Sequence, residues 1–216
     1  MFMYYKPNRI DRFASRLCLQ SLFYRETEIS IASGPEIAVS PCRGKVSRVA
    51  RIEPDGRIPE KKRMGRQIWF PLSALVKQDE TSSIFRGGDY VNLYLSPWDY
   101  HFLIFPMDSS VRSVFHQDGF NWPVVAWEGA ILRNSKMVTL LDTGFGFPLG
   151  LVMVASWMVG GMEPRFEKGR AYSRGEVFGR FRIGSTVVLL FPPGKADILC
   201  REGQKLELGA PLAKIG

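Results

Sequence analysis

Along most of the chain, apolar residues come in short runs bounded by turn-forming residues rather than at helical spacing. This pattern predicts short strands at DYVNLYLSP (residues 89–97), VVAWEGAIL (124–132), KMVTLLDT (136–143), STVVLLFPPG (185–194) and ADIL (196–199). IAVSPCRGKVSRVARI (37–52) alternates in part across a Ser-Pro and Gly turn, and RIEPDGRIP (51–59) carries a Pro-Asp-Gly turn. One segment reads differently. Over residues 8–24, Ile10, Phe13, Ala14, Leu17 and Ser21 share one helical face, while Arg9, Arg12 and Arg16 fall on the other. A basic amphipathic helix of this kind either packs on its own domain or lies on an anionic membrane surface. Residues 143–162 are uncharged and about long enough to span a bilayer. Their five glycines, Pro148 and short apolar centre (Leu149 to Val159) predict one or two buried strands instead. The chain is therefore read as mainly β (α+β): a helical arm over residues 1–30 and one domain over 31–216.

Composition narrows the function classes. With 45% hydrophobic and 23% charged residues, the 216-residue chain is not disordered as a whole. Twenty-nine basic against 21 acidic residues give a net charge of +8, which favours anionic partners such as phospholipid headgroups. No nucleic-acid recognition motif accompanies that charge, so no nucleic-acid partner is expected. Residues 60–66 (EKKRMGR) read as a solvated loop whose Lys61, Lys62 and Arg63 can meet a phosphate. The cysteines are Cys18, Cys42 and Cys200; an odd count, wide spacing and no CxxC argue against a disulfide framework and a structural zinc site. No metal is expected. Reduced thiols and a start without an apolar secretory region point to the cytoplasm.

The stretch GEVFGRFRIGSTVVLLFPPG (175–194) carries the chemistry. Gly184–Ser185–Thr186 stands where a charged segment gives way to a continuous apolar run. A glycine before a serine frees the intervening carbonyl from side-chain crowding and admits unusual backbone angles. The serine hydroxyl can then attack that carbonyl, provided that donors stabilise the oxygen. The resulting ester eliminates to dehydroalanine, which hydrolyses to an N-terminal pyruvoyl group. Such a keto group condenses with a substrate amine and takes up the electrons released on decarboxylation. Three residues alone would read as a loop entering a strand.

The wider context changes that reading. GEVFGRFRIGSTVVLLFPPGK (175–195) resembles the C-terminal signature of phosphatidylserine decarboxylases. IFRGGDYVNLYLSPWDYHFLIFP (84–106) is similar to the family's Leu-Ser-Pro-x-Asp-Tyr-His segment. LLDTGFGFPLGLVMVASWMVGGM (140–162) and VSPCRGKVSRVARIEPDGRI (39–58) resemble two further family segments, in the family's order. The resemblance implies a proenzyme cut between Gly184 and Ser185, with a β chain of residues 1–184, an α chain of 185–216 and a pyruvoyl cofactor made from Ser185. It implies phosphatidylserine as substrate, phosphatidylethanolamine as product, an anionic phospholipid partner, a location peripheral to the membrane and a homodimer. It places His101 near substrate, with Tyr100 and Thr186 as neighbouring substrate-binding residues; His116 has no counterpart and is expected in a surface loop. At fold level, residues 39–49 and 202–216 also resemble halves of a biotin/lipoyl-type barrel-sandwich hybrid.

Departures from the family pattern matter as much. The family's Ser-Pro-x-Asp-Gly aspartate, which orients a histidine for self-cleavage, is Arg43 here. Its second histidine, three residues after the first, is Ile104, and the arginine after the first is Phe102. Loss of a general base typically costs on the order of 10²–10⁴ in rate. Two readings follow: a decarboxylase with unorthodox maturation, or a pseudoenzyme that binds lipid or a partner, with Arg43 as an anion anchor. Cys42, beside Arg43, is either a thiol of lowered pKa acting as substitute base or an inert turn residue. A carrier domain modified at Lys195 is a third reading, without the motif neighbours such domains carry.

Overall fold

The computed structural model describes residues 30–59, 67–96, 99, 101–122, 129–156, 161–181 and 185–216. In chain order the strands are β1 (Ile37–Val39), β2 (Gly44–Arg51), β3 (Arg57–Pro59), β4 (Trp69–Pro71), β5 (Asp89–Leu95), β6 (Phe102–Ile104), β7 (Ser109–Gln117), β8 (Lys136–Thr143), β9 (Pro148–Ala155), β10 (Met162–Pro164), β11 (Ala171–Tyr172), β12 (Val177–Phe181), β13 (Ser185–Phe191), β14 (Ala196–Ile198), β15 (Lys205–Leu206) and β16 (Pro211–Ile215). Three short helices interrupt them: α1 (Leu72–Val76), α2 (Asp79–Phe85) and α3 (Ala130–Arg133).

The apolar run of β13 dictates the architecture. All seven of its residues are buried, so it needs a neighbour on each edge and cover on each face. It lies inside an antiparallel eight-stranded sheet of order β11-β7-β8-β9-β13-β5-β2-β15. Ser185 pairs with Leu95 of β5 on one side and Ala155 of β9 on the other. Alternation along the strands divides the side chains between two layers. Val187, Leu189 and Phe191 join Leu93, Leu95, Met153 and Ala155 in one core, closed by residues of the small sheets β1-β16-β14 and β10-β12-β6. Val188 and Leu190 join Tyr90, Val152 and Val154 in the other, closed by Leu72, Leu75, Phe85 and Ile131 of the helices. Each such fully buried side chain contributes roughly 1.5–3 kcal/mol. Gly150 makes the second layer possible: a Cβ there would sit 3.0 Å from both Leu190 Cβ and Phe85 Cζ.

The mainly β reading holds, with two differences in detail. Part of the strand expected over residues 124–132 is helical: Ala130–Arg133 forms one turn, closed by the Asn134 N–H donating to the Ala130 carbonyl at 2.8 Å. A short apolar run does not by itself separate strand from helix. Helices α1 and α2 are too short to leave a periodic signal, and tertiary packing holds them. Residues 143–162 do carry strand β9, and no helix among the described residues is long and apolar enough to cross a membrane. The two segments likened to barrel-sandwich halves pair with each other, β1 with β16 and β2 with β15. The amphipathic arm, apart from Ser30, and the loop 60–66 lie outside the described residues.

Candidate active site

Ser185 opens β13 and points into the first core, as do Val187 and Leu189 on the same face. It is fully buried, and its Oγ has no hydrogen-bond partner among the described residues. Leaving a buried hydroxyl unsatisfied costs about 1–3 kcal/mol. Thr139 Oγ1 and Asn92 Oδ1 share that condition; only Ser185 also follows a glycine at the end of an apolar strand. The hydroxyl is therefore dry and not committed to another partner among those residues.

His101 is held at its backbone by β12. The Phe181 N–H donates to the His101 carbonyl at 3.0 Å, and Arg180 pairs with Phe102 in the ladder between β12 and β6. Phe181 precedes Ser185 by four residues, a reach of at most roughly 14 Å. Like Leu103 and Phe105, which alternate with it, the ring lies on the side of the first core and is fully buried. Burial lowers its pKa from 6.5 to about 4, against the upward pull of the Asp99 backbone and carboxylate. At neutral pH the imidazole is uncharged and able to accept a proton.

A carboxylate stands beside it. Asp99 is only 7% exposed. Its Oδ2 accepts from the Ser96 N–H at 2.8 Å and the Ser96 hydroxyl at 2.7 Å, and Lys205 Nζ is 3.4 Å from Oδ1. Burial would raise its pKa, but these donors override it and hold the group below its ordinary value. Burial, and then the charge of Asp99, push the Cys42 thiol well above its ordinary range. Cys42 is therefore an inert thiol, and its reading as a substitute base is corrected.

The two departures that remove processing groups, Ile104 and Arg43, fall close together in the fold. Ile104 is buried against Val39 and Leu208, and its N–H donates to the Pro41 carbonyl at 2.9 Å. Two residues beyond Pro41, Arg43 turns outward and places Nε 3.0 Å from Glu207. That contact pairs it with an acid. Thr186 lies on the opposite face of β13 from Ser185, in the row of Val188 and Leu190, so the structure does not bring its hydroxyl to Ser185. Tyr100 and Gly184 lie outside the described residues. His116 is in strand β7, not a loop, with Nε2 3.5 Å from Asp118. Lys195 is exposed on the turn after β13, with Nζ 5.8 Å from the centre of the Phe147 ring. Asp99, Ser96 and Lys205 were not singled out by sequence reasoning; Asp99 was visible only as the first letter of the Asp-Tyr-His motif.

Known proteins similar to this chain fall in one family. A family model described as phosphatidylserine decarboxylase matches residues 19–214. A phosphatidylserine decarboxylase proenzyme of Anaeromyxobacter sp. (strain K) is 33% identical over 208 residues, covering 84% of this chain and 72% of that protein. Proenzymes of the same name from Stenotrophomonas maltophilia and Saccharophagus degradans are 32% and 31% identical, covering 84% and 82% of this chain and 71% of each relative.

Proposed function

The chain belongs to the phosphatidylserine decarboxylase family, and from that premise we propose that it is a proenzyme that cuts itself between Gly184 and Ser185 and then converts phosphatidylserine to phosphatidylethanolamine and carbon dioxide. The observation that carries this reading is the dry Ser185 hydroxyl, placed directly after a glycine and in the same core as an uncharged His101. In the first step the Ser185 Oγ bonds to the Gly184 carbonyl carbon, the peptide C–N bond breaks, and the hydroxyl proton passes to the released amine. Elimination then frees the Gly184 carboxylate, and water hydrolyses the new terminus with loss of ammonia. A pyruvoyl group so formed supplies a carbonyl that accepts the electron pair of the breaking C–C bond. The sheet keeps the two chains together: β13 lies between β9 and β5, β15 pairs with β2, and β16 pairs with β1. The net charge of +8 suits contact with an anionic bilayer, where this substrate resides.

Intact mass of the purified chain tests the reading. Two species are expected, the smaller comprising residues 185–216 and reacting with a hydrazine at its new terminus; Ser185→Ala abolishes both the cut and the label. A single unlabelled chain of 24.5 kDa in the wild type overturns it.

A further inference from the structure

The end of the central sheet at which Ser185 stands carries more than the candidate bond. One cross-strand row there runs Lys205–Lys45–Tyr94–Thr186–Val154–Lys136–Gln117, from β15 to β7. The row of Ser185 lies one residue further out. From Ala155, the partner of Ser185, an N–H donates to the Ser135 carbonyl at 2.9 Å, and Ser135 Oγ accepts from the Gly119 N–H at 2.9 Å. Residues 118–122 (DGFNW) therefore continue past β7 at the same end. Polar groups hold their backbone. The Trp122 N–H donates to Asn134 Oδ1 at 2.7 Å, and Asn134 Nδ2 donates to the Trp122 and Ala155 carbonyls, each at 2.7 Å. The Phe120 N–H donates to the Arg133 carbonyl at 3.1 Å, and a Cβ at Gly119 would lie 2.2 Å from that same oxygen. One fully buried amide thus joins this loop to the strand beside Ser185. The loop's aromatic rings are not buried with it. Phe120 is 81% and Trp122 54% exposed, the two most exposed large apolar residues among those described. The fold fixes where these rings stand and leaves them in water.

We propose that Phe120 and Trp122 are insertion residues by which the Ser185 end of the sheet docks on an anionic phospholipid bilayer. This deepens the reading above, which places the substrate in a bilayer, and rests on it. Moving aromatic rings from water to the boundary of the acyl chains is favourable, and a tryptophan there keeps its N–H among the headgroups. The charges at that end fit the same partner. Lys45 and Lys205 are exposed and stand directly opposite each other. Like charges so paired cost stability in water, and an anionic surface relieves them. Asp99 meets Lys205 at 3.4 Å, while Lys45 stays in solvent. Asp118, the acid on the loop, has His116 at 3.5 Å. From β2, which carries Lys45, to β7, which leads to the rings, is five strand spacings, roughly 24 Å, with β13 between them. A span of that width, with cations toward one side and apolar rings at the other, suits a flat surface. The amphipathic arm joins the domain nearby. The Ala32 N–H donates to the Gly209 carbonyl at 3.0 Å, three residues beyond Leu206, whose partner Gly44 adjoins Lys45.

The test uses the full chain and vesicles of phosphatidylcholine with or without phosphatidylglycerol, so that no substrate enters it. Phe120→Ser combined with Trp122→Ser is expected to weaken co-sedimentation with the anionic vesicles about 10-fold or more at unchanged melting temperature. Lipids brominated near the headgroup end of the acyl chain are expected to quench tryptophan emission. Trp122→Phe, which keeps an apolar ring, is expected to remove a share of that quenching. Lys45→Glu is expected to weaken binding to the anionic vesicles several-fold and to leave binding to the neutral ones unchanged. Wild-type affinity in the double serine variant overturns the proposal, whichever other segment then holds the membrane. Equal quenching in the wild type and in Trp122→Phe overturns it too. If the double variant melts early, Phe120→Ser alone is expected to weaken binding several-fold, and a wild-type affinity there overturns the proposal equally. A second copy of the chain, bound by the wild type and lost in the serine variant at equal vesicle affinity, makes the rings a protein contact and overturns it as well. A chain that never cuts refutes the self-cleaving reading, a result told apart from any loss of vesicle binding because these vesicles hold no phosphatidylserine.

Discussion

The two faces of the central sheet bury polar groups to opposite ends. On the helix-covered face, Lys136 is fully buried, and its Nζ donates to the Leu132 carbonyl at 2.8 Å and the Ala74 carbonyl at 3.4 Å. Its charge fastens α1 and the last turn of α3 to strand β8. On the other face, Ser185 is equally buried with its hydroxyl uncommitted among the described residues, and the His101 imidazole is held neutral by burial. The two positions are close in register: Lys136 pairs with Val154, and Val154 pairs with Thr186. A buried polar group with its partners supplied is structural. One left without them carries an energetic cost; Thr139 Oγ1 and Asn92 Oδ1 carry it too, and Ser185 differs from them in standing at the candidate bond.

Replacing the groups on each face breaks or sharpens this contrast. The largest effect is expected from His101→Ala, which slows the cut on the order of 10²–10⁴-fold in timed gels. Lys136→Met, on the other face, leaves the cutting rate within a few-fold.

Stability against pH separates the faces next, by denaturant titration of the uncut Ser185→Ala chain. His101 has a folded pKa of about 4 against 6.5 unfolded. Between those values the unfolded chain binds a proton that the fold refuses, so about 3 kcal/mol is lost as pH falls from 6.5 to 4. His101→Gln removes that loss. Burial, and then Lys77, lower the Lys136 pKa from 10.5 to about 8. The unfolded chain again holds the extra proton, here between pH 8 and 10.5, and stability rises by about 3 kcal/mol across that window. Lys136→Met flattens the rise.

Smaller effects follow. Ser185→Ala is expected to stabilise the uncut chain by about 1 kcal/mol in thermal or denaturant melts, because it deletes an unsatisfied hydroxyl. Arg43→Ala, which breaks a half-exposed ion pair with Glu207, is expected to cost less than about 1 kcal/mol.

Much of the fold was legible in the chain because its signals are local. The uninterrupted apolar run 185–191 announces a strand covered on both faces, and it forms one. The glycine before Ser185 and the Asp-Tyr-His motif mark the chemistry through residue type and order alone. Helices α1 and α2 escaped because they are one or two turns long and owe their form to what they pack against. The run 124–132 misled in part, since the same apolar residues serve either element.

The amino-acid sequence by itself determined the strand-rich character, the candidate cleavage bond and the two missing processing groups, all carried by residue types within a few positions of one another. Only the tertiary structure decided that Ser185 lies dry in the same core as His101, that Cys42 is inert, that Arg43 is held by Glu207, and that Asp99 is clamped by Ser96 and Lys205. Those facts depend on strand register, burial and charges from distant parts of the chain meeting in a low-dielectric interior, and such meetings have no local signature.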